Sequence, residues 1–195
     1  VTALQAVRLN GLEISAITCN AMLSACRGGK QWTKALDQLR MRLSVEDLPA
    51  PDVISYSAAA AACGSSGRWD QATALLFAMT QQAVLPNVIT FSTVVTACGK
   101  GLQWQVALEI LWYAWRYAKG AEDQPNVVTV SAAVSACEKC LQWQASVALL
   151  GEARLRAVEP NLVTRNAALS ACSAAARWAM SLDLLFAAAK QREGQ

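Results

Sequence analysis

Apolar residues run throughout the stretch 89–100 (ITFSTVVTACGK), with no breaker before Gly99 and Gly101. The stretch 104–117 then places Val106, Ala107, Leu108, Ile110, Leu111 and Trp115 at helical spacing, with Leu108, Leu111 and Trp115 as the expected inward stripe. The pattern predicts two helices joined by a Gly-containing turn. Pro125 ends the unit, because proline disfavours helix in the residue before it. A Thr or Ser two or three residues into the next unit is placed to cap its first helix. The rest of the chain reads the same way, so polar and apolar positions predict a series of helical hairpins.

The hairpins recur in register. "ACGKGLQW" at 97–104 returns as "ACEKCLQW" at 136–143. Ala-Cys followed six residues after the Cys by Trp occurs five times, at Cys26/Trp32, Cys63/Trp69, Cys98/Trp104, Cys137/Trp143 and Cys172/Trp178. Successive Cys residues are 37, 35, 39 and 35 apart. A fixed period of that size is the signature of stacked repeats rather than of one globular core. The predicted fold is all-α, an α-solenoid wound as a right-handed superhelix of about eleven paired helices. Its units are a half repeat at 1–15, then repeats at 16–52, 53–87, 88–126, 127–161 and 162–195, forming one solenoid domain. The longer units carry their extra residues near 47–50 and 119–124, where a solenoid tolerates insertion. Small Ala, Ser and Cys residues on the first helices let neighbouring backbones approach. Each Trp opens a second helix and is expected to wedge between the helices of its own pair. The array reads as a slice of a longer one or a small stand-alone one. The absence of Met at Val1 reads as a fragment or a processed chain.

Composition narrows the function. Of 195 residues, 54% are apolar and 16% charged, and the net charge is +3, which permits nucleic-acid binding without arguing for it. Five of the seven Cys share one repeat position, which reads as small buried thiols in a reducing compartment rather than a disulfide framework. Residues 71–99 carry no charge but straddle a repeat boundary and contain Gln81, Gln82, Pro86 and Asn87, which argues against a membrane span. The chain has no His, which excludes His-based catalytic triads and His-containing zinc sites. Cys137 and Cys140 form a lone CxxC and read as structural; Asp70, Glu109 and Asp183 have no paired carboxylate in view. No enzyme activity, catalytic residue, metal, cofactor or small-molecule substrate is expected.

A unit of 35 residues that opens "VISYS", "VITFS" or "VVTVS", continues through Ala-Cys, Gly, Trp and Ala-Leu, and closes on Pro-Asp or Pro-Asn resembles the pentatricopeptide repeat. Residues 53–87 and 88–126 carry the resemblance best, and it spans nearly the whole chain. The departures are Ile14 in place of a closing Pro, and Cys19, Val130 and Arg165 where Tyr or Phe is usual; Tyr56 and Phe91 comply. The resemblance implies binding of single-stranded RNA, one base per repeat, 5′ to 3′ along the chain. It implies that the reading pairs are Asn20 with Asp52, Ser57 with Asn87, Ser92 with Asn126 and Ser131 with Asn161, while Asn166 lacks its partner. Ile17, Ile54, Ile89, Val128 and Val163 would pack on base faces, and Lys100 and Lys139 would meet phosphates. The implied target is 5′-UAAA(Y)-3′. The family's RNA-editing members carry a deaminase-like domain with His and Cys ligands, which this chain lacks. The resemblance alone suggests a chloroplast or mitochondrion.

Two plainer readings stand beside this one. Asp52, Asn87, Asn126 and Asn161 immediately precede helices, where they serve as simple N-caps, and β-branched residues commonly belong to cores. The alternative function is a scaffold in an organellar ribosome or a bioenergetic complex, with Trp112, Tyr113 and Tyr117 as the protein-docking patch.

Overall fold

The computed structural model describes residues 15–45, 48–117, 123–177 and 179. The half repeat before Ser15, Trp178, Asp183 and the second helix of the last repeat lie outside the described residues. Among the described residues there are nine helices and no strand. They are α1 (Ala16–Gly28), α2 (Trp32–Ser44), α3 (Val53–Ser65), α4 (Trp69–Gln81), α5 (Val88–Lys100), α6 (Trp104–Tyr117), α7 (Val127–Lys139), α8 (Trp143–Leu155) and α9 (Leu162–Ala174). None is long and apolar enough to cross a membrane.

The odd-numbered helices start on a side-chain cap. Asp52, Asn87, Asn126 and Asn161 sit in extended backbone and accept from the backbone N–H of Ser55, Thr90, Thr129 and Thr164 at 2.8–3.2 Å. The capping side chain is therefore the Asp or Asn itself, not the following Thr or Ser. Those hydroxyls are fully buried and bond back to the cap, as from Thr90 Oγ1 to Asn87 Oδ1 at 3.0 Å. Each cap satisfies a backbone donor that has no partner within the helix.

The recurrent Ala-Cys…Trp phrase is the next joint. The carbonyls of Cys26, Cys63, Cys98, Cys137 and Cys172 each accept the N–H of the residue five positions on, at 2.9 Å. One residue earlier the chain enters the left-handed region, at Lys30, Gly67, Leu102, Leu141 and Ala176. This is the Schellman closure of a helix C-terminus. Only Gly67 among the five is glycine. The glycines noted at 99 and 101 do other work. A Cβ at Gly99 would lie 3.1 Å from the Ala136 methyl, and one at Gly101 would collide with the Trp69 indole.

The odd helices pack on one another in an unbroken row, α1 on α3, α3 on α5, α5 on α7 and α7 on α9. Each even helix packs on its own partner and on the odd helix that follows. Every hairpin thus buries its apolar face against the next, which is the packing of an α-solenoid. Small residues let the odd row close up, and a Cβ on Gly64 would come within 2.8 Å of the Ala97 methyl. The fourth residue of the first four full repeats fills the core whatever its type, with Cys19, Tyr56, Phe91 and Val130 all buried. On α6 the buried stripe is Ala107, Ile110, Leu111, Ala114 and Trp115; Leu108 is only half-buried.

The tryptophans that open the even helices reach beyond their own pair. Trp32, Trp69, Trp104 and Trp143 are half-buried. Trp32 lies under the Arg68 guanidinium (4.7 Å), Trp143 under Arg177 (5.2 Å), and Trp69 against Gly101. Each of these three indoles thus bridges to the turn of the following repeat.

Candidate functional site

One face of the odd-helix row stays uncovered, and it carries a column of exposed branched aliphatics. Ile17 is 81% exposed, Ile54 63%, Ile89 60%, Val128 58% and Val163 63%. They recur at one position in the first turn of successive helices, so they are not the core residues that β-branching suggests. Single exposed aliphatics are ordinary, but five in register along one face are not explained by folding. Three residues on, the same face bears Asn20, Ser57, Ser92, Ser131 and Asn166.

The structure joins some of these to the capping residues and not others. Asn20 Nδ2 donates to both Asp52 carboxylate oxygens at 3.3 Å. Ser131 Oγ donates to Asn161 Oδ1 at 3.5 Å and is bonded to Thr164 Oγ1. Ser57 reaches Asn87 only through Thr90, whose Oγ1 lies 2.8 Å from Ser57 Oγ. Ser92 and Asn126 are not linked; Ser92 Oγ donates to the Ile89 carbonyl at 3.0 Å. In Asn87, Asn126 and Asn161 the capping bonds occupy Oδ1, and Nδ2 has no protein partner among the described residues. A helix cap and an available donor therefore coexist in one side chain. Burial pushes the Asp52 carboxyl up. The bonds from Ser55 and Asn20 and the charge of Arg42 more than offset this, leaving it below its ordinary value and ionised at neutral pH.

A cleft of about 260 Å³ opens on this face and is lined in part by Arg27, Ser65, Ser92, Thr96, Lys100 and Val128. It spans α1, α3, α5 and α7, bringing the predicted Ser92, Lys100 and Val128 to one concavity. Two cations line it and, among the described residues, no carboxylate does. Lys139 is exposed at the end of α7.

A family model described as a pentatricopeptide repeat domain matches residues 45–101. The crystal structure of the pentatricopeptide repeat protein PPR10 from maize superposes with a TM-score of 0.76 at 20% identity, over 94% of this chain and 26% of PPR10. PPR10 in complex with an 18-nt psaJ RNA element superposes with a TM-score of 0.72 at 20% identity, over 95% of this chain and 26% of that one. Nuclear proteinaceous RNase P 2 (PRORP2) from A. thaliana gives a TM-score of 0.74 at 13% identity, over 89% of this chain and 38% of that one. Residues 45–101 thus match a pentatricopeptide repeat model, and the chain as a whole shares the fold of PPR10. It spans about a quarter of PPR10's length. Among curated proteins none matches it significantly.

Two polar features of the chain escape the repeat pattern. Arg27 supplies the cleft with a cation one position before the Lys100 register, so no alignment of units places it there. Arg42 is 3% exposed and sits behind Asn20 and Asp52, at the register of Met79, Ala114 and Ala153. A charge at a core position is visible in the sequence once the repeats are aligned.

The aromatic residues of α6 do not form one patch. Trp112 is 43% exposed, meets Trp115 edge-on at 5.2 Å, and lies beside Arg156 of the connection after α8. Tyr113 turns the other way, towards Phe91 (6.2 Å) and Tyr117 (4.6 Å). An apolar groove of about 260 Å³ between α4 and α6 is lined by Leu76, Phe77, Val106, Ile110 and Tyr113, with Glu109 at its edge.

The cysteines are built for packing. Burial pushes Cys98 and Cys137 up to about 12, and burial with the nearby Asp70 charge pushes Cys63 up to about 11. These thiols stay neutral and unreactive at physiological pH. Cys140 Sγ donates to the Leu102 carbonyl at 3.3 Å, tying one turn to the preceding one as Ser66 ties to Lys30. Bonds from Arg68 hold the Asp70 carboxyl down to about 2, so it is a fixed charge rather than a proton shuttle.

Proposed function

We infer that this chain binds single-stranded RNA along the exposed face of its odd-numbered helices, one base per repeat. The observation that carries the reading is the column Ile17, Ile54, Ile89, Val128 and Val163, exposed in register beside polar side chains three residues on. An unpaired base is a flat apolar plate with a polar edge. Successive aliphatics would take its faces, and the adjacent Asn, Ser and Asp groups its edge. PPR10, whose fold this chain shares, has been crystallised in complex with an RNA element, which supports the same use of the fold here.

The proposed pairs are Asn20/Asp52 for U, then Ser57/Asn87, Ser92/Asn126 and Ser131/Asn161 for A, with Asn166 for a pyrimidine, giving 5′-UAAA(Y)-3′. Adenine fits the three Ser/Asn pairs chemically. The Asn Nδ2 donates to ring N1, and the Ser Oγ accepts from the N6 amino group. Arg27, Lys100 and Lys139 take phosphates. A scaffold role has the groove between α4 and α6 in its favour, but the aromatics there face in two directions, and RNA binding is the stronger reading. The role is one of binding rather than catalysis, although one structural relative, PRORP2, is an RNase P. The process served is RNA processing, stability or translation in a chloroplast or mitochondrion, which rests on the family resemblance alone.

Changing Asn87 and Asn126 together to Asp replaces donors by acceptors. Competition binding should then move the preference at the second and third bases from A towards G, by about fivefold or more. An unchanged order of preference contradicts the base assignment.

A further inference from the structure

The first repeat contains a device built on a residue that the repeats aligned with it do not share. Arg42 lies on α2 in the register of Met79, Ala114 and Ala153, all fully buried apolar residues. An arginine at such a core position is costly unless every donor is used. Here the guanidinium is well used. Nε donates to the Pro49 carbonyl at 2.8 Å and Nη2 to the Ala50 carbonyl at 2.9 Å. Nη1 donates to Ser55 Oγ at 2.7 Å and to Asn20 Oδ1 at 3.2 Å. The first two bonds fasten the lengthened connection between α2 and α3, where this repeat has 37 residues rather than 35. That connection delivers Asp52. The last two bonds hold the inner side of Asn20, whose Oδ1 also lies 2.7 Å from Ser55 Oγ.

We propose that Arg42 is a positioning residue that sets base choice in the first repeat, by turning the Asn20 carbonyl inward and fixing Asp52 beside its amide. The proposal rests on the base-reading role given above to Asn20 and Asp52. With Oδ1 engaged from behind, Asn20 offers the groove only N–H, and the ionised Asp52 offers only acceptors. The pair is one fixed donor beside one fixed acceptor. Uracil carries the complement, an O4 acceptor beside the N3–H donor. Cytosine carries the reverse order, an N4 amino donor beside the N3 acceptor. The sugar leaves a stacked base on one side only, so cytosine cannot turn over to restore the match. At the register of Arg42 the other three complete pairs have the uncharged Met79, Ala114 and Ala153.

The test is fluorescence-anisotropy competition on the full 195-residue chain with the RNAs UAAAU, CAAAU and UACAU. Arg42→Met imports the residue of the second repeat, and Arg42→Lys keeps the charge but cannot reach four acceptors at once. Circular dichroism melting selects whichever variant folds. The unaltered chain should favour UAAAU over CAAAU by about fivefold to tenfold, and the variant by less than about twofold. The penalty for UACAU should not change. A variant that keeps the first-base preference overturns the role of Arg42 and leaves the base-reading assignment standing. Equal loss at the first and third bases also overturns it, since Arg42 would then be merely structural. An unaltered chain with no first-base preference removes the assignment of Asn20 and Asp52, and this proposal with it.

Discussion

Tyr56 and Phe91 hold the same place in successive repeats, and both are buried to 2% exposure. They differ by one hydroxyl, and in Tyr56 that oxygen is buried without a hydrogen-bond partner among the described residues. Burial pushes its phenol above the ordinary value, opposed by the charge of Arg42. An orphaned polar atom costs roughly 1–3 kcal/mol, while the ring itself packs as Phe91 does. Tyr56→Phe should therefore raise the unfolding free energy by about 1 kcal/mol in urea denaturation, with an unchanged denaturant slope. A loss of stability would mean that the hydroxyl has a partner in solution. The single residue is also the scale at which the sequence said least. The Asp and Asn before α3, α5, α7 and α9 had two readings, cap and base reader. The structure makes them caps through Oδ1 while leaving Nδ2 of the three Asn residues without a protein partner among the described residues, so the two uses need not compete. Composition could not separate them, because the same side chain supplies both.

At the scale of the element, the helix pairs were legible because apolar spacing and the Ala-Cys…Trp phrase recur in register. The turn between them was expected to rely on glycine. In fact the left-handed position holds Lys30, Leu102, Leu141 and Ala176 in four units and glycine only at Gly67. The closing bond to the Cys carbonyl forms regardless, so no residue signature marks the strained site. Left-handed backbone costs a side-chain-bearing residue about 1–2 kcal/mol, and glycine's extra unfolded-state entropy returns about half of that. Leu102 and Leu141 are exposed, so glycine there removes no core contact. Leu102→Gly and Leu141→Gly should each stabilise the chain by roughly 0.5 kcal/mol, measured as a shift in denaturation midpoint. The destination of the tryptophans was not legible, since a periodic position does not say whether its side chain faces its own partner or the next unit. Trp32 under Arg68 and Trp69 against Gly101 make them ties between repeats.

At the scale of the whole molecule, the solenoid and its uncovered face follow from the repeat itself. What the repeat did not reveal was its electrostatics. The row of phosphate contacts was expected to be thin, with Lys100 and Lys139 alone. Arg27 adds a third cation from a different register, and no carboxylate lines the cleft among the described residues. Such a surface should bind RNA through its bases, with a modest ionic share. Three of the four complete pairs are assigned to adenine, so a gel shift of the full chain with oligo(A) against oligo(U) at several salt concentrations probes base reading with the largest signal. Oligo(A) should bind more tightly, with log affinity falling against log salt at a slope of about −1.5 to −2, as two or three phosphate contacts give. Equal affinity for the two homopolymers, or no complex at low salt, would contradict RNA reading by this face.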